Sequence, residues 1–198
     1  MEKIKVKKFL VSMAIVAAIS GCASVSKQHR LSSNVQSLEF NSLLSEYKAR
    51  PTFVSLLEMS DGEEVLNIKM DSYLASSDGV KPSISIARKY VDENIEAIEK
   101  YLKWNTIALD RKDQFTKEIA ITKSWDNSGV TIENRYTFHS GNEFNHYLEI
   151  VTCSLGTCNP SQKSPIMLDS QGAMVLIKEL NDFRAGSFSK TSIDSVYN

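Results

Sequence analysis

FTKEIAITKSWDNSGVTIENRYTFHSGNEFNHYLEIVTC, residues 115–153, is the stretch whose reading decides the fold. Two turn signals divide it, Asp126-Asn127-Ser128-Gly129 and Ser140-Gly141-Asn142. Folding the chain at both sets Trp125 opposite Val130, Ile119 opposite Tyr136, Ile132 opposite Ile150 and Phe138 opposite Phe144. Two independent turns thus produce one apolar face, as a correct register should. The other face is polar: Thr131, Glu133, Arg135, Thr137, His139, Asn145, Tyr147 and Glu149, with Tyr147 opposite Arg135. This alternation predicts an antiparallel meander of strands near 115–125, 130–139 and 143–153, covered on one side only.

The flanking segments supply the cover. Ile84, Ala87, Val91, Ile95, Ile98 and Leu102 recur at steps of three and four, predicting an amphipathic helix over 84–108 with Ser83 as cap. Ala173, Leu176, Ile177, Leu180 and Phe183 predict a second helix over 170–184, ended by Gly186. Thr52 to Asp71 reads as a hairpin about Asp61-Gly62, with Leu57 opposite Leu66 and Phe53 opposite Met70. A helix from Glu63 to Leu74 is its alternative. Phe40, Leu43, Leu44 and Tyr47 suit one face of a short helix starting near Ser33 and stopped by Arg50-Pro51. The fold class is therefore α+β: an antiparallel sheet, built from a hairpin and a three-stranded meander, packed on one face by a long central helix and a C-terminal helix.

The chain begins Met-Glu-Lys-Ile-Lys-Val-Lys-Lys, with four lysines against one glutamate, and continues as an apolar run from Phe9 to Ile19 broken only by Ser12. A basic start, a short apolar core and a small-residue exit are the parts of a secretory signal. The run falls short of the ~20 residues that span a bilayer. Its exit, Ile19-Ser20-Gly21-Cys22, resembles the lipobox of bacterial lipoprotein signal peptides. That resemblance covers residues 1–22 alone. It implies a cleaved signal over 1–21 and lipid on Cys22, and more than one acyl chain is what stable anchoring requires. Ala23 follows the cysteine, where an aspartate would signal inner-membrane retention. By resemblance to that sorting rule, the expected address is the outer membrane of a Gram-negative bacterium, with the body facing the periplasm.

Taking residues 1–21 away moves the formal charge from −1 to −4, with no basic stripe, which argues against a nucleic-acid partner. Residues 22–33 are polar and serine-rich and read as a lipidated flexible tether. Residues 34–186 form the single expected domain, and 187–198 an expected disordered tail. Cys153 and Cys158 remain as a pair in an oxidising compartment, and Gly156 between them allows the tight turn of a structural disulfide. A redox pair would be spaced by two residues, and no histidine stands near to suggest a metal.

Catalytic signatures are absent from the sequence. No Gly-x-Ser-x-Gly elbow, glycine-rich phosphate loop or metal-ligand spacing occurs, so no metal and no cofactor is expected. His29 falls in the tether, His146 on the apolar face opposite Tyr136, and His139 on the polar face. Surface is what remains. Arg135, His139, Tyr147, Glu133 and Glu149 form a candidate recognition face, and loop 154–165 is a second one. The expectation is a membrane-anchored envelope lipoprotein acting as a non-enzymatic binding or assembly module for an envelope protein or cell-wall component. The alternative is an envelope hydrolase acting on peptidoglycan or lipid.

Overall fold

The computed structural model describes residues 24–73, 81–127, 130–154 and 165–188. The signal segment, Cys22, Cys158 and the tail beyond Phe188 lie outside the described residues.

The chain is α+β, with two antiparallel sheets and two α-helices among the described residues. Strands β1 (Val25–Leu31), β4 (Thr52–Met59), β5 (Glu64–Met70) and β6 (Ser83–Ala87) form a four-stranded sheet in the order β1-β4-β5-β6. Strands β2 (Ser37–Asn41), β3 (Glu46–Arg50), β7 (Thr116–Asn127), β8 (Val130–Ser140), β9 (His146–Ser154) and β10 (Ile166–Leu168) form a six-stranded sheet in the order β3-β2-β10-β9-β8-β7. Helix α1 (Val91–Arg111) follows a single 3-10 turn at Arg88–Tyr90, and α2 (Ser170–Arg184) follows β10. One contiguous core joins Val54, Leu56, Leu66 and Ile68 of the first sheet with Tyr136, Phe138, Leu148 and Ile150 of the second. Ile98, Tyr101, Leu176 and Phe183 of the helices complete it.

The predicted meander is present as β7, β8 and β9, and α2 has the predicted bounds. Asp169 caps α2 by accepting from the Gly172 amide at 2.7 Å, and Gly186 leaves it at φ +69°. The β7–β8 register matches the expectation at its open end, then shifts through two bulges, so that Trp125 faces Ile132 rather than Val130. In the β8–β9 hairpin, Tyr136 faces Ile150 and Ser140 faces His146. The turn is longer than expected. Asn142 Oδ1 accepts from the Phe144 and Asn145 amides, both at 2.9 Å, and Gly141 donates to the Asn145 carbonyl at 2.9 Å. The offset is an even number of residues, so inward and outward faces survive. Phe144 does not survive as a core residue and is 61% exposed at the turn.

Five expectations are corrected, the last of them at the tail. The tether over 22–33 is, from Val25 to Leu31, a strand paired along β4. It is an edge strand with most side chains in solvent, and so carries the polar composition of a linker. The short helix is instead the β2–β3 hairpin, with Phe40 opposite Tyr47. Leu43, meant for its buried face, is 93% exposed in the turn. The helix over 84–108 begins only at Val91. Residues 83–87 form β6, because Ile84 and Ile86 are both buried, which requires a period of two. In the Asp61-Gly62 hairpin, Leu57 faces Val65 and Leu56 faces Leu66, one residue from the expected register. Only Gly62 of that turn has positive φ, at +87°. Met59 donates to the Glu63 carbonyl at 2.8 Å, which makes a three-residue loop ending in a left-handed glycine rather than a two-residue turn. Val54 and Leu56 therefore enter the main core, while Leu57, Met59 and Val65 meet Ala87, Tyr90 and Trp125 on the other side.

The tail is likewise corrected at its start: Phe188 packs against the core, 6.4 Å from the Phe183 ring.

Residues 32–36 carry the chain from one sheet to the other, and Glu179 of α2 pins them. Its carboxylate, 6% exposed, accepts from Ser33 Oγ at 2.8 Å and from the Asn34 amide at 3.0 Å. Burial pushes the carboxyl above the usual carboxylate range. A raised pKa means that the folded protein holds the proton more tightly than the unfolded chain. This group's contribution to stability is therefore greatest at low pH and falls as pH rises from about 4.3 through the raised value. Glu179→Gln should keep an acceptor for both donors and flatten that part of the profile. Glu179→Ala should cost roughly 1–3 kcal/mol by leaving both unpaired. Urea midpoints across pH 4–8 check the pair, and a profile unchanged in Glu179→Gln rejects the assignment.

Candidate functional site

The outward side of the six-stranded sheet is organised in rows set by strand register. Leu38 of β2, Met167 of β10, Glu149 of β9 and Thr137 of β8 stand side by side. Phe40 pairs with Tyr47 in one adjoining row, and Tyr147 with His139 in the next. The β2–β3 hairpin projects beyond the three-residue β10, so its rings lean back over β9. Tyr47 lies 4.1 Å from Tyr147 and 5.3 Å from Phe40, between ring centroids. Gly141 lets the β8–β9 turn close on Tyr147, since a Cβ there would sit 3.1 Å from its ring.

Of these residues, Leu38, Phe40, Tyr47, His139, Glu149 and Met167 border a half-open cleft of about 510 Å³. Leu38, Phe40, Leu43, Met167 and Pro165 give it apolar walls, and Tyr47, His139 and Glu149 supply polar atoms. Phe40, 49% exposed, and Tyr73, 73% exposed, leave large apolar surface at its border. Apolar walls with a few convergent polar groups, in this range of volume, are the usual composition of a ligand site. Burial pushes the Tyr47 and Tyr147 hydroxyls up from their ordinary value, so both are neutral donors at neutral pH.

All five residues of the expected recognition face point outward from this sheet, but the structure does not bring all of them to the cleft. His139 and Glu149 line it. Tyr147 faces His139, not Arg135, which faces Val151. Arg135 instead reaches Glu118 of β7 at 3.2 Å, and Glu133 faces Cys153. Two outward positions of β9, Val151 and Cys153, are buried, so the face is less polar than its alternation implied. Of loop 154–165, only its two ends, Ser154 and Pro165, lie within the described residues. The β2–β3 aromatic residues were assigned to a helix, so sequence reasoning missed their place in the site. The Phe40/Tyr47 spacing about Asn41–Ser45 was the available hairpin signal.

Beside the cleft edge, Arg50 and Glu39 form a buried ion pair at 3.2 Å, each side chain 9% exposed. Ser72 Oγ donates to Glu39, as does the Tyr73 amide at 2.8 Å. The Arg50 guanidinium lies 3.2 Å from the Tyr73 ring centroid.

Ser140 and His146 form the hydroxyl–imidazole pair most suggestive of hydrolase chemistry, with Oγ 2.9 Å from Nδ1. The same Oγ accepts from the Phe115 amide at 3.1 Å. His146 Nε2 is buried without a hydrogen-bond partner, and burial lowers the imidazole pKa. Among the described residues no carboxylate orients the ring as a catalytic triad requires. The geometry suits a clamp on the hairpin end better than a nucleophile and base. Among the described residues no group of three or more histidine, cysteine or acidic side chains could hold a metal ion, and no helix is long and apolar enough to cross a membrane.

Comparison of the chain with protein-family models, curated proteins and solved structures returns no match.

Proposed function

We propose that this protein is an outer-membrane lipoprotein of the cell envelope whose body is a non-enzymatic binding module. Its amino-terminal Cys22 carries the lipid. Its partner, an envelope protein or a cell-wall component, engages the outward face of the six-stranded sheet. The carrying observation is the cleft: apolar walls, polar side chains that include Tyr47, His139 and Glu149, and exposed aromatic surface, built on strands of the sheet and the β2–β3 turn. A lipid anchor fixes one end of the molecule at a surface, which leaves the sheet face to meet a partner. Cys153, buried at the end of β9, is proposed to pair with Cys158 and brace the loop that follows. Thiol titration of the unreduced, denatured mature protein should then find no free thiol.

The test is a photo-crosslinking side chain placed at His139 in the lipidated protein in its own envelope, with Glu99 of α1 as a control position. One discrete adduct at His139 and none at Glu99 is expected. Equal labelling at both positions, or none at either, would remove the binding-face reading.

A further inference from the structure

We propose that the cleft takes a small apolar molecule carrying a cationic head, such as an alkylammonium or guanidinium group. This rests on the reading of the cleft as the binding site and adds the chemistry of what enters it. The argument starts from Glu149. Its carboxylate stands on the cleft wall, partly buried between Met167, Tyr147 and Thr137, and no cation pairs with it among the described residues. Arg135, the arginine of the same face, is already turned to Glu118, and Lys48 to Glu46. The neighbouring carboxylate on the wall, Glu39, has its arginine. Among the described residues, one carboxylate therefore faces an apolar space without a countercharge, an arrangement that a cation from outside completes.

The walls point the same way. Phe40 and Tyr47 meet edge to face, and Tyr147 continues the series. Aromatic faces attract cations through the ring quadrupole, most strongly where water is excluded. The cleft border already uses this interaction, with Arg50 against Tyr73. The hydroxyl of Tyr47 adds a neutral dipole at the wall. An anionic ligand would meet Glu149 without compensation and is disfavoured by the same field.

Three probes that share a ring and differ in charge test this: benzyltrimethylammonium, benzyl alcohol and phenylacetate. Each is titrated into the full mature chain with backbone amide resonances followed by NMR. The cation should bind at least about tenfold more tightly than the alcohol, phenylacetate should be weakest, and shifts should map to β2, β3, β9 and β10. Glu149→Gln, which keeps the shape, should erase the preference for the cation. Phe40→Ala should weaken all ring-bearing probes. Equal affinity for the cation and the alcohol, or a preference that survives Glu149→Gln, overturns the proposal. Failure of every probe while His139 still yields its discrete crosslink overturns the ligand class alone and leaves the binding-module reading standing. Failure of both removes both.

Discussion

Asn94→Leu should lower the unfolding free energy by roughly 3–5 kcal/mol, a large part of the 5–15 kcal/mol that a domain of this kind possesses. Asn94 is fully buried in α1, and every hydrogen-bonding site on its amide is used. Oδ1 accepts from Tyr136 Oη at 2.6 Å and from Thr122 Oγ1 at 2.8 Å. Nδ2 donates to the Tyr90 carbonyl at 2.6 Å and to the Lys123 carbonyl at 2.9 Å. One side chain thus ties the start of α1 to β7 and β8. Leucine fills the volume but takes the Asn94 acceptor from two buried hydroxyls, and a buried donor without its acceptor costs more than the bond itself is worth. Burial also pushes the Tyr136 hydroxyl pKa upward, so it stays a neutral donor that needs an acceptor.

The series separates hydrogen bonding from packing. Tyr136→Phe should cost about 1 kcal/mol, since Asn94 keeps Thr122 as a donor. In the Asn94→Leu background the same change should cost less or stabilise, because it removes an orphan. Strict additivity in the double variant would show that the amide acts by shape alone.

This polar seam explains much of what could and could not be foreseen. The meander was legible because both turns carried Gly or Asn signals and the strands alternate; Phe138 and Tyr136 are buried while His139 and Arg135 stay accessible. The even register error between β8 and β9 left their faces intact, whereas the two bulges of β7 turned Ile121 outward and buried Thr122 and Ser124. The β4–β5 hairpin failed differently. Phe53-Val54-Ser55-Leu56-Leu57 is apolar at both parities, so alternation could not choose a face, and a one-residue change in turn length exchanged them. β6 was hidden because Ile84 and Ala87 also fit the helical spacing of Val91 and Ile95, while the partners that hold it are polar side chains of other strands. The Ser85 carbonyl accepts from Ser124 Oγ and from Asn134 Nδ2 at 3.1 Å, and the Ser83 carbonyl from Thr152 Oγ1 at 3.1 Å. Buried serines, asparagines and threonines looked like surface to a pattern that sorts residues by hydropathy. β10 offered three consecutive buried residues, Ile166 to Leu168, too few to show any period. The site suffered accordingly. His139 and Glu149 were found from the meander, whereas Phe40 and Tyr47 depend on β10 joining the two halves of the sheet.

If the proposed lipid anchor is right, Cys22→Ser should leave the protein uncleaved or released and should abolish incorporation of labelled fatty acid. The expectation comes from the residues before the cysteine. Ile19-Ser20-Gly21 presents an aliphatic and two small residues ahead of a thiol, behind a basic and then apolar leader. A thioether cannot form on a hydroxyl, so the lipid has nowhere to attach. The effect should be close to complete, because each buried acyl methylene contributes about 0.8 kcal/mol and several chains are lost together. No described helix is long and apolar enough to cross the membrane. The body should remain folded in the variant, since its described strands begin at Val25 and the core draws on Leu31 onward. A matched circular-dichroism spectrum with lost detergent-phase partitioning is the expected pair of results. Unchanged partitioning of Cys22→Ser would mean that the anchor lies elsewhere, and the lipoprotein reading would fall with it.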